Sequence, residues 1–313
     1  MRFVWAFLFS FYLTFSLSAE GKWITLHDGA QIYYEEYGLG EVVFLLHGHT
    51  LDRRMWNEQV GALNGKWRVI VPDFRGYGLS SDPIEGVQFT YADDLIEMMD
   101  SLRISKAHVV GLSMGAYVAG DMLAMYPSRL ISCMMVSGEI CNRPGPSQPK
   151  TREERKNQQV WNIQTLNRFH GLENYKRNRV EQLMKYTGPH GEEIREPLTE
   201  MIMAWRAWQA QHYTCRVYYG RDAWKRLQEL KPNVPSLIIY GEKENEGKSR
   251  MLDYLPDAEQ RTFKDCGHMV NMEQRALFNE TLLKWLWNHR ERRVLLPIRY
   301  KNQKPWEPYR GMY

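Results

Sequence analysis

Gly111-Leu112-Ser113-Met114-Gly115 is the stretch from which the fold can be read. Before it runs Ala107-His-Val-Val110, short and apolar, as a strand covered on both faces would be. After it, residues 114–126 open with small side chains at Gly115, Ala116, Ala119 and Gly120, the composition of a helix lying close against a sheet. A serine flanked by glycines at a strand-to-helix turn has the context of a nucleophile elbow. Such a turn is sharp and crowded, so side chains at 111 and 115 would clash. The hydroxyl then projects from the sheet edge beside a helix N-terminus, where free N–H groups and the helix dipole favour a developing negative charge. The bare pattern also occurs in ordinary Gly-rich turns; the strand before it and the helix after it give it weight.

Outward from the elbow the same alternation continues. Residues 23–37 read as two short strands about an Asp28-Gly29 turn. Residues 41–46, 67–71, 130–136 and 235–240 are apolar runs of strand length, and 261–264 is a short last one. Between them, 91–102 places Leu95, Met98, Met99 and Leu102 on one helical face, and 275–288 presents Leu277, Leu282, Leu283 and Leu286. Strands alternating with helices predict an α/β fold with a doubly wound, mostly parallel sheet. One interval breaks the rhythm. Residues 142–227 contain no good strand, enter through Pro144, Pro146 and Pro149, and carry Trp161, Trp205, Trp208 and Trp224. We expect a helical cap inserted over a core made of 19–141 and 228–289.

A serine hydroxyl is a weak nucleophile near neutral pH and needs a base. His268, in Asp265-Cys266-Gly267-His268-Met269, follows the last strand. A doubly wound sheet gathers reactive groups at the carboxyl ends of its strands, so Ser113 and His268 are expected on one rim. His47 and His49 are rim candidates too, but they precede the serine, against the chain order Ser, acid, His. The base needs a carboxylate to fix its tautomer. Glu242, Glu244 and Glu246 follow the run at 235–240, and Glu139 follows the one at 130–136. His47-Gly48-His49-Thr50 ends the first core strand, and its glycine allows close backbone approach. The N–H of His49 is expected to join that of Met114 in an oxyanion hole.

Together these motifs resemble the α/β-hydrolase superfamily. The matching residues are His47-Gly48-His49-Thr50 with Trp56, Asp73-Phe-Arg-Gly-Tyr-Gly-Leu-Ser80, Gly111–Gly115, and Gly267-His268 with Glu273, in the family's order over about 23–289. The resemblance implies a cap after the sixth strand and a reaction that needs no cofactor. It also implies the acid: the family pattern Gly-Glu-Lys-Asp aligns with Gly241-Glu-Lys-Glu244, so Glu244 falls on the aspartate. Glutamate there departs from the usual residue. Leu51-Asp-Arg-Arg-Met-Trp56 and the elbow are similar to those of small esterases, enol-lactonases and cofactor-free haloperoxidase-type enzymes. Ser113 separates the chain from dehalogenases and epoxide hydrolases, which carry Asp at the elbow.

Composition bounds the rest. The chain of 313 residues is 43% hydrophobic and 25% charged, which excludes a disordered, collagenous or coiled-coil protein. A net charge of +4 is weak for a nucleic-acid binder, and it is concentrated in 290–313, a basic tail that also carries Tyr300, Trp306 and Tyr309. Arg2, an apolar run to Leu17, and Ser16 and Ser18 before a cut after residue 18 read as a signal peptide. The expected mature protein is extracytoplasmic and has no stable membrane span. There Cys141 and Cys215 are the expected disulfide pair, and Cys133 a buried thiol. No CxxC or His/Cys cluster suggests a metal site.

The expected function is a serine hydrolase of a small ester or lactone, with Ser113, His268 and Glu244 as triad. Trp161, Trp205 and Trp208 are candidates for the substrate pocket. A C–C bond hydrolase or peptidase using the same triad, and a non-catalytic ligand-binding module on this fold, are the alternatives.

Overall fold

The computed structural model of the protein describes residues 20–84, 87–140, 151–212, 217–244 and 251–291, with backbone alone at 20, 152, 154, 155 and 157–161. The expected signal peptide, most of the basic tail, the three prolines, Cys141, Cys215 and Glu246 lie outside the described residues.

Strands β1 (Glu20–Thr25) and β2 (Gln31–Tyr37) pair antiparallel. Their turn is closed by the Leu26 N–H donating to Ala30 O at 2.8 Å, with Gly29 at φ +87°. Next come β3 (Val42–Leu46), a 3₁₀ turn (Arg53–Trp56), α1 (Asn57–Leu63), β4 (Arg68–Pro72), α2 (Tyr91–Ser101), β5 (Ala107–Leu112), α3 (Met114–Met125) and β6 (Leu130–Val136). Helices α4 (Arg152–Arg168), α5 (Leu172–Met184), α6 (Gly191–Ala204), α7 (Trp208–Gln211) and α8 (Arg221–Leu230) follow. The chain then returns to β7 (Ser236–Gly241), α9 (Met251–Tyr254), β8 (Glu259–Phe263), α10 (Val270–Glu273) and α11 (Arg275–Asn288). The predicted sheet is present: eight strands in the order β1-β2-β4-β3-β5-β6-β7-β8, parallel from β4 through β8. Between β6 and β7 the described residues are helical and form no strand.

The continuous apolar runs serve both faces at once. In β3, Phe44 and Leu46 join one core cluster while Val43 and Leu45 join the other, and β5, β6 and β7 divide likewise. This is the period-two alternation of a strand with helices on both sides. On the first face α3 lays its small residues Ala116 and Ala119 against the sheet, beside α2 and α8. On the second, α1 and α11 bring Leu63, Phe278 and Leu282, joined by Val180 and Leu198 of the inserted helices.

Helix α11 has its expected bounds but a different inner face. Leu277 is exposed, and Phe278, Thr281, Leu282, Trp285 and Leu286 are buried. Phe278, Leu282, Trp285 and Leu286 share one face at helical spacing, and Leu277, one residue before Phe278, lies about 100° off it. The short helices α1, α9 and α10 had no clear periodic signal because each spans two turns or fewer.

The carboxyl ends of the parallel strands share one rim. His47 follows β3, Ser113 follows β5, Gly138 follows β6, Glu244 follows β7 and His268 follows β8.

Candidate active site

The turn at Ser113 is as crowded as its glycines implied. A Cβ on Gly111 would lie 2.0 Å from Gly115 O, and one on Gly115 would lie 2.1 Å from Leu46 O, so neither position admits a side chain. Ser113 itself sits at φ +55°, ψ −111°, a backbone region that L-residues avoid. It is held there by its N–H donating to Val136 O at 2.8 Å and its carbonyl accepting from Ala116 at 2.9 Å and Tyr117 at 3.1 Å. Strain retained this way is found where a side chain must be aimed.

The turn after β3 comes up beside it. A Cβ on Gly48 would stand 3.5 Å from Ser113 Cβ, so the backbone of His47-Gly48-His49 lies against the serine. Met114 is the first residue of α3, and its N–H therefore has no partner within the helix. His47 is buried and committed to structure. Its Nε2 accepts the Phe74 N–H at 3.0 Å, which leaves Nδ1 to donate to Gly48 O at 2.9 Å. It shapes the loop and is not available as a base.

His268 and Glu244 meet directly, Nδ1 to Oε1. With Nδ1–H donating to the carboxylate, Nε2 remains unprotonated, the tautomer that can accept a proton. The rival acids are elsewhere. Glu242 Oε2 accepts the Asp265 N–H at 3.1 Å, and Glu139 makes no hydrogen bond to His268 among the described residues. Ser113 and His268 share the rim, but no hydrogen bond joins them among the described residues; in unliganded enzymes that contact is often long and tightens on substrate.

A residue whose part was not read from the sequence holds the histidine turn. Glu273 accepts the Gly267 N–H at 3.1 Å with one oxygen and the Gly188 N–H at 2.8 Å with the other. Its spacing after Gly267-His268 had marked it as part of a motif, but only the fold brings Gly188 to it.

A cavity of about 110 Å³ opens beside His49, lined by Asn162, Thr165, Tyr175, Trp205 and Gln209 among others. Ser113 is not part of that lining; His49 is the link between the cavity and the elbow. The His49 ring contacts Tyr77 Oη at 2.6 Å through Nδ1 and stands edge-on to Trp205, centroids 5.3 Å apart. Burial, then the positive charge of Arg179, pushes its pKa down to about 3, so the ring is neutral at neutral pH. Of the three expected pocket tryptophans, Trp205 lines this cavity. Trp208 is outside the lining and stacks on His212 at 4.7 Å. The Trp161 side chain lies outside the described residues.

Cys133 is a buried free thiol, its pKa pushed up to about 12 by burial, and Cys266 is likewise buried and free. Among the described residues no group of three or more His, Cys, Asp or Glu side chains is placed to hold a metal ion. No helix among them is long and apolar enough to cross a membrane.

An eight-stranded doubly wound sheet carrying a serine elbow, a rim histidine and its carboxylate is the architecture of a hydrolase family. Residues 41–274 match the family model described as the alpha/beta hydrolase fold, and the chain belongs to that family. It is 28% identical over 293 residues to a 2-hydroxy-6-oxononadienedioate/2-hydroxy-6-oxononatrienedioate hydrolase of Paraburkholderia phymatum, an alignment covering 88% of this chain and 98% of that protein. Among solved structures it resembles a thermophilic esterase from Thermogutta terrifontis, with a TM-score of 0.65 and 25% identity, covering 87% of this chain and all of the other. The fold is also that of the enol-lactonase from Burkholderia xenovorans, with a TM-score of 0.64 and 20% identity over 85% of this chain and all of the other.

Proposed function

We propose that this protein is a serine hydrolase that cleaves a small ester or lactone through an acyl-enzyme. The observation that carries the reading is the backbone of Ser113. A non-glycine residue is held at φ +55° at the mouth of a helix, between two glycines whose Cβ positions are filled by backbone. Nothing in packing the sheet requires a serine there, whereas aiming an oxygen at a substrate carbonyl does.

In this mechanism Ser113 Oγ attacks the carbonyl carbon while His268 Nε2 takes its proton. Glu244 stabilises the resulting imidazolium through Nδ1. The carbonyl π electrons move onto oxygen, and the N–H groups of Met114 and His49 hold the oxyanion. As the tetrahedral species collapses, the bond to the alkoxy oxygen breaks and His268 protonates the leaving alcohol. Water then attacks the acyl-enzyme, His268 takes its proton, and collapse returns that proton to Ser113 with release of the acid. The helices of 142–227 act as a cap, with Trp205 and Tyr175 forming part of the wall against the substrate.

A C–C bond hydrolase is the second reading, favoured by the dienedioate hydrolase relative, which aligns along nearly its whole length. Residues 1–18 direct export and are removed; the N-terminal sequence of the protein recovered outside the cytoplasm checks this, and an intact Met1 there would refute it.

The deciding experiment is a turnover screen across esters of increasing acyl length, lactones, aminoacyl amides and vinylogous 1,5-diketones, with Ser113→Ala alongside. Ester or lactone hydrolysis that disappears in Ser113→Ala supports the reading. Cleavage of diketones alone would replace it with the second reading, and activity surviving in Ser113→Ala would remove the serine mechanism.

A further inference from the structure

The amino ends of the parallel strands form the face opposite the rim of Ser113 and His268. One corner of it carries apolar surface that the described residues leave bare. Trp287, on the last turn of α11, is 48% exposed, and Leu39, in the loop between β2 and β3, is 85% exposed. The two share a neighbour. A Cβ on Gly38 would lie 2.3 Å from Trp67 O, so the loop of Leu39 rests on the chain just before β4. The Trp67 ring stands edge-on to Trp287, centroids 5.8 Å apart. Arg290, itself exposed, lies over both indoles, 4.4 Å from the Trp287 ring and 5.6 Å from that of Trp67. A single exposed apolar side chain is ordinary on any protein. An exposed indole under an exposed arginine, with a bare leucine on the same corner, has the composition of a surface placed at a boundary between water and lipid.

The charge left over at this corner is positive. Glu36, Glu41 and Glu291 beside it are each taken, by Lys22 and Arg68, by His108 and by Lys106. Lys66 and Arg290 are exposed and make no ion pair among the described residues. The chain reaches Glu291 at the same corner. The Glu291 N–H donates to Glu41 Oε1 at 3.2 Å, and that oxygen also lies 2.7 Å from His108 Nε2. Buried contacts continue from His108 Nδ1 to Ser132 Oγ, which accepts the Trp285 Nε1–H at 3.0 Å. The point from which the basic tail continues is thereby fixed to the strand starts. Residues 292–313 lie outside the described residues, but their sequence is specific. They carry six cations against Glu307 alone, together with Tyr300, Trp306 and Tyr309. Val294, Leu295, Leu296 and Ile298 are bracketed by Arg292 and Arg293 before and Arg299 and Lys301 after. A nucleic acid is met by cations and stacking aromatics and has no use for such an aliphatic run. A bilayer takes all three, with cations at the lipid phosphates, indoles and phenols at headgroup level and aliphatic side chains beneath them.

We propose that residues 292–313 and the Trp287–Leu39 corner together form a docking surface for an anionic lipid bilayer. The attachment is peripheral, and it leaves the Ser113 rim at the opposite ends of the strands facing the aqueous phase. Cations near a negative surface supply the long-range attraction, which salt screens. The few aliphatic and aromatic side chains supply short-range insertion, enough for reversible binding but far from a membrane span. The inference stands apart from which bond the site cuts.

The test is cosedimentation of the protein with sucrose-loaded vesicles of phosphatidylcholine, alone or with about 30% phosphatidylglycerol, at about 0.1 M salt. The partition coefficient on anionic vesicles should exceed that on neutral ones by at least about tenfold, and should fall at least about fivefold at about 0.5 M salt. Arg292→Gln/Arg293→Gln/Arg299→Gln/Lys301→Gln should bind anionic vesicles at least about tenfold more weakly. Leu295→Ser/Leu296→Ser should lose at least about fivefold, and Leu39→Ser/Trp287→Ala at least about threefold. Melting temperatures show that each variant is folded; if the Trp287 change lowers melting, Leu39→Ser alone judges the corner. Equal binding to both vesicle types, or binding unmoved by the glutamine variant, would put the attachment elsewhere, as in a retained segment 1–18, and overturns the proposal. Loss in the tail variants with full binding in the corner variants would confine the contact to the tail and overturns the composite surface. Absence of binding to either vesicle overturns it as well. Retention on duplex DNA would then make the tail a nucleic-acid contact, and a fall in melting temperature in Leu295→Ser/Leu296→Ser would make it a cover for its own chain.

Discussion

Glu273 accepts the N–H of Gly188 at 2.8 Å, across 85 residues of sequence, and so fastens the turn that carries His268 to the helices inserted after β6. The two turns are in backbone contact. A Cβ on Gly188 would lie 1.5 Å from Asp265 O, and one on Gly267 would lie 2.5 Å from Tyr186 O. The base of the candidate triad is therefore held from both sides, by β8 beneath it and the inserted helices above. Glu273→Ala leaves the N–H groups of Gly188 and Gly267 without their acceptor. It should lower unfolding stability by about 2–4 kcal/mol, since each unmet donor costs about 1–3 kcal/mol, and should lower kcat more than it raises KM. Glu273→Gln keeps one acceptor oxygen and should recover part of both. Urea denaturation with the two variants side by side checks this; wild-type stability in Glu273→Ala would show that the tie holds nothing.

The elbow sets stability against function at one residue. Ser113→Ala should abolish hydrolysis and fluorophosphonate labelling while the fold is kept. Ser113→Gly should be equally inactive yet more stable than Ser113→Ala by about 1 kcal/mol, because glycine tolerates φ +55° where an L-residue is strained. Gly115→Ala should do the reverse, with a loss of about 3 kcal/mol or more, since its Cβ would meet Leu46 O at 2.1 Å on a strand that cannot move. Melting curves for the three proteins decide it, and an unperturbed Gly115→Ala would mean that the turn is looser than its geometry.

These residues also show what is legible in a sequence. The elbow, the sheet and the order of the rim groups are local. Each strand announces itself by a short apolar run, and each crowded turn by its glycines. Glu244 is marked in the sequence by the family pattern aligned on Gly241, and the fold brings it to His268 because the ends of β7 and β8 lie side by side. What stayed hidden depends on contacts between distant segments. Glu273 finds Gly188 only once the inserted helices are placed. Trp205 and Trp208 look alike in sequence; one walls the cavity and the other stacks on His212 because the chain turns at Ala207, in the left-handed region, before α7 begins at Trp208.

Asp121 gives a dependence on pH with a definite sign. It lies buried in α3, just beyond the elbow. Its Oδ2 accepts the Tyr219 N–H at 2.8 Å, and its Oδ1 is buried without a partner. Burial, more than any neighbour, raises its pKa from 3.8 to about 8. The folded protein therefore keeps a proton there that the unfolded chain releases above pH 4. Stability from this group is fully present below about pH 4 and declines as pH rises toward 8. Unfolding free energy should fall between pH 5 and 8, and Asp121→Asn, which cannot ionise, should flatten that slope. A steeper or unchanged slope in Asp121→Asn would show that Asp121 is already ionised in the folded state.

Glu244 is the acid on which the proposed chemistry turns, and its neighbours allow a clean comparison. Three carboxylates lie near enough in sequence or topology to be confused with it: Glu242, two residues before it; Glu246, further along; and Glu139, just past the end of the adjacent strand β6. Glu242 is occupied with the Asp265 N–H. Glu139 has no hydrogen bond to the ring among the described residues, whereas Glu244 Oε1 sits on His268 Nδ1. Its other oxygen, Oε2, is buried with no hydrogen bond, so the ring is the principal partner of this carboxylate. Glutamate is one methylene longer than the aspartate usual in the family, and the contact is made because the Glu244 backbone is drawn back onto its own strand end, its N–H donating to Gly241 O at 3.2 Å. Glu244→Gln preserves the shape but can place an amide N–H against Nδ1. That favours the tautomer with the proton on Nε2, which cannot act as base toward Ser113. The expected loss in kcat approaches the roughly ten-thousand-fold seen when a triad acid is made an amide, with KM nearly unchanged. Glu139→Gln and Glu242→Gln should each stay within about threefold of wild type, since neither carboxylate touches the ring. Steady-state kinetics on one ester for the three variants settles it. A Glu244→Gln enzyme that keeps most of its turnover, with the loss appearing in Glu139→Gln, would move the acid to the end of β6.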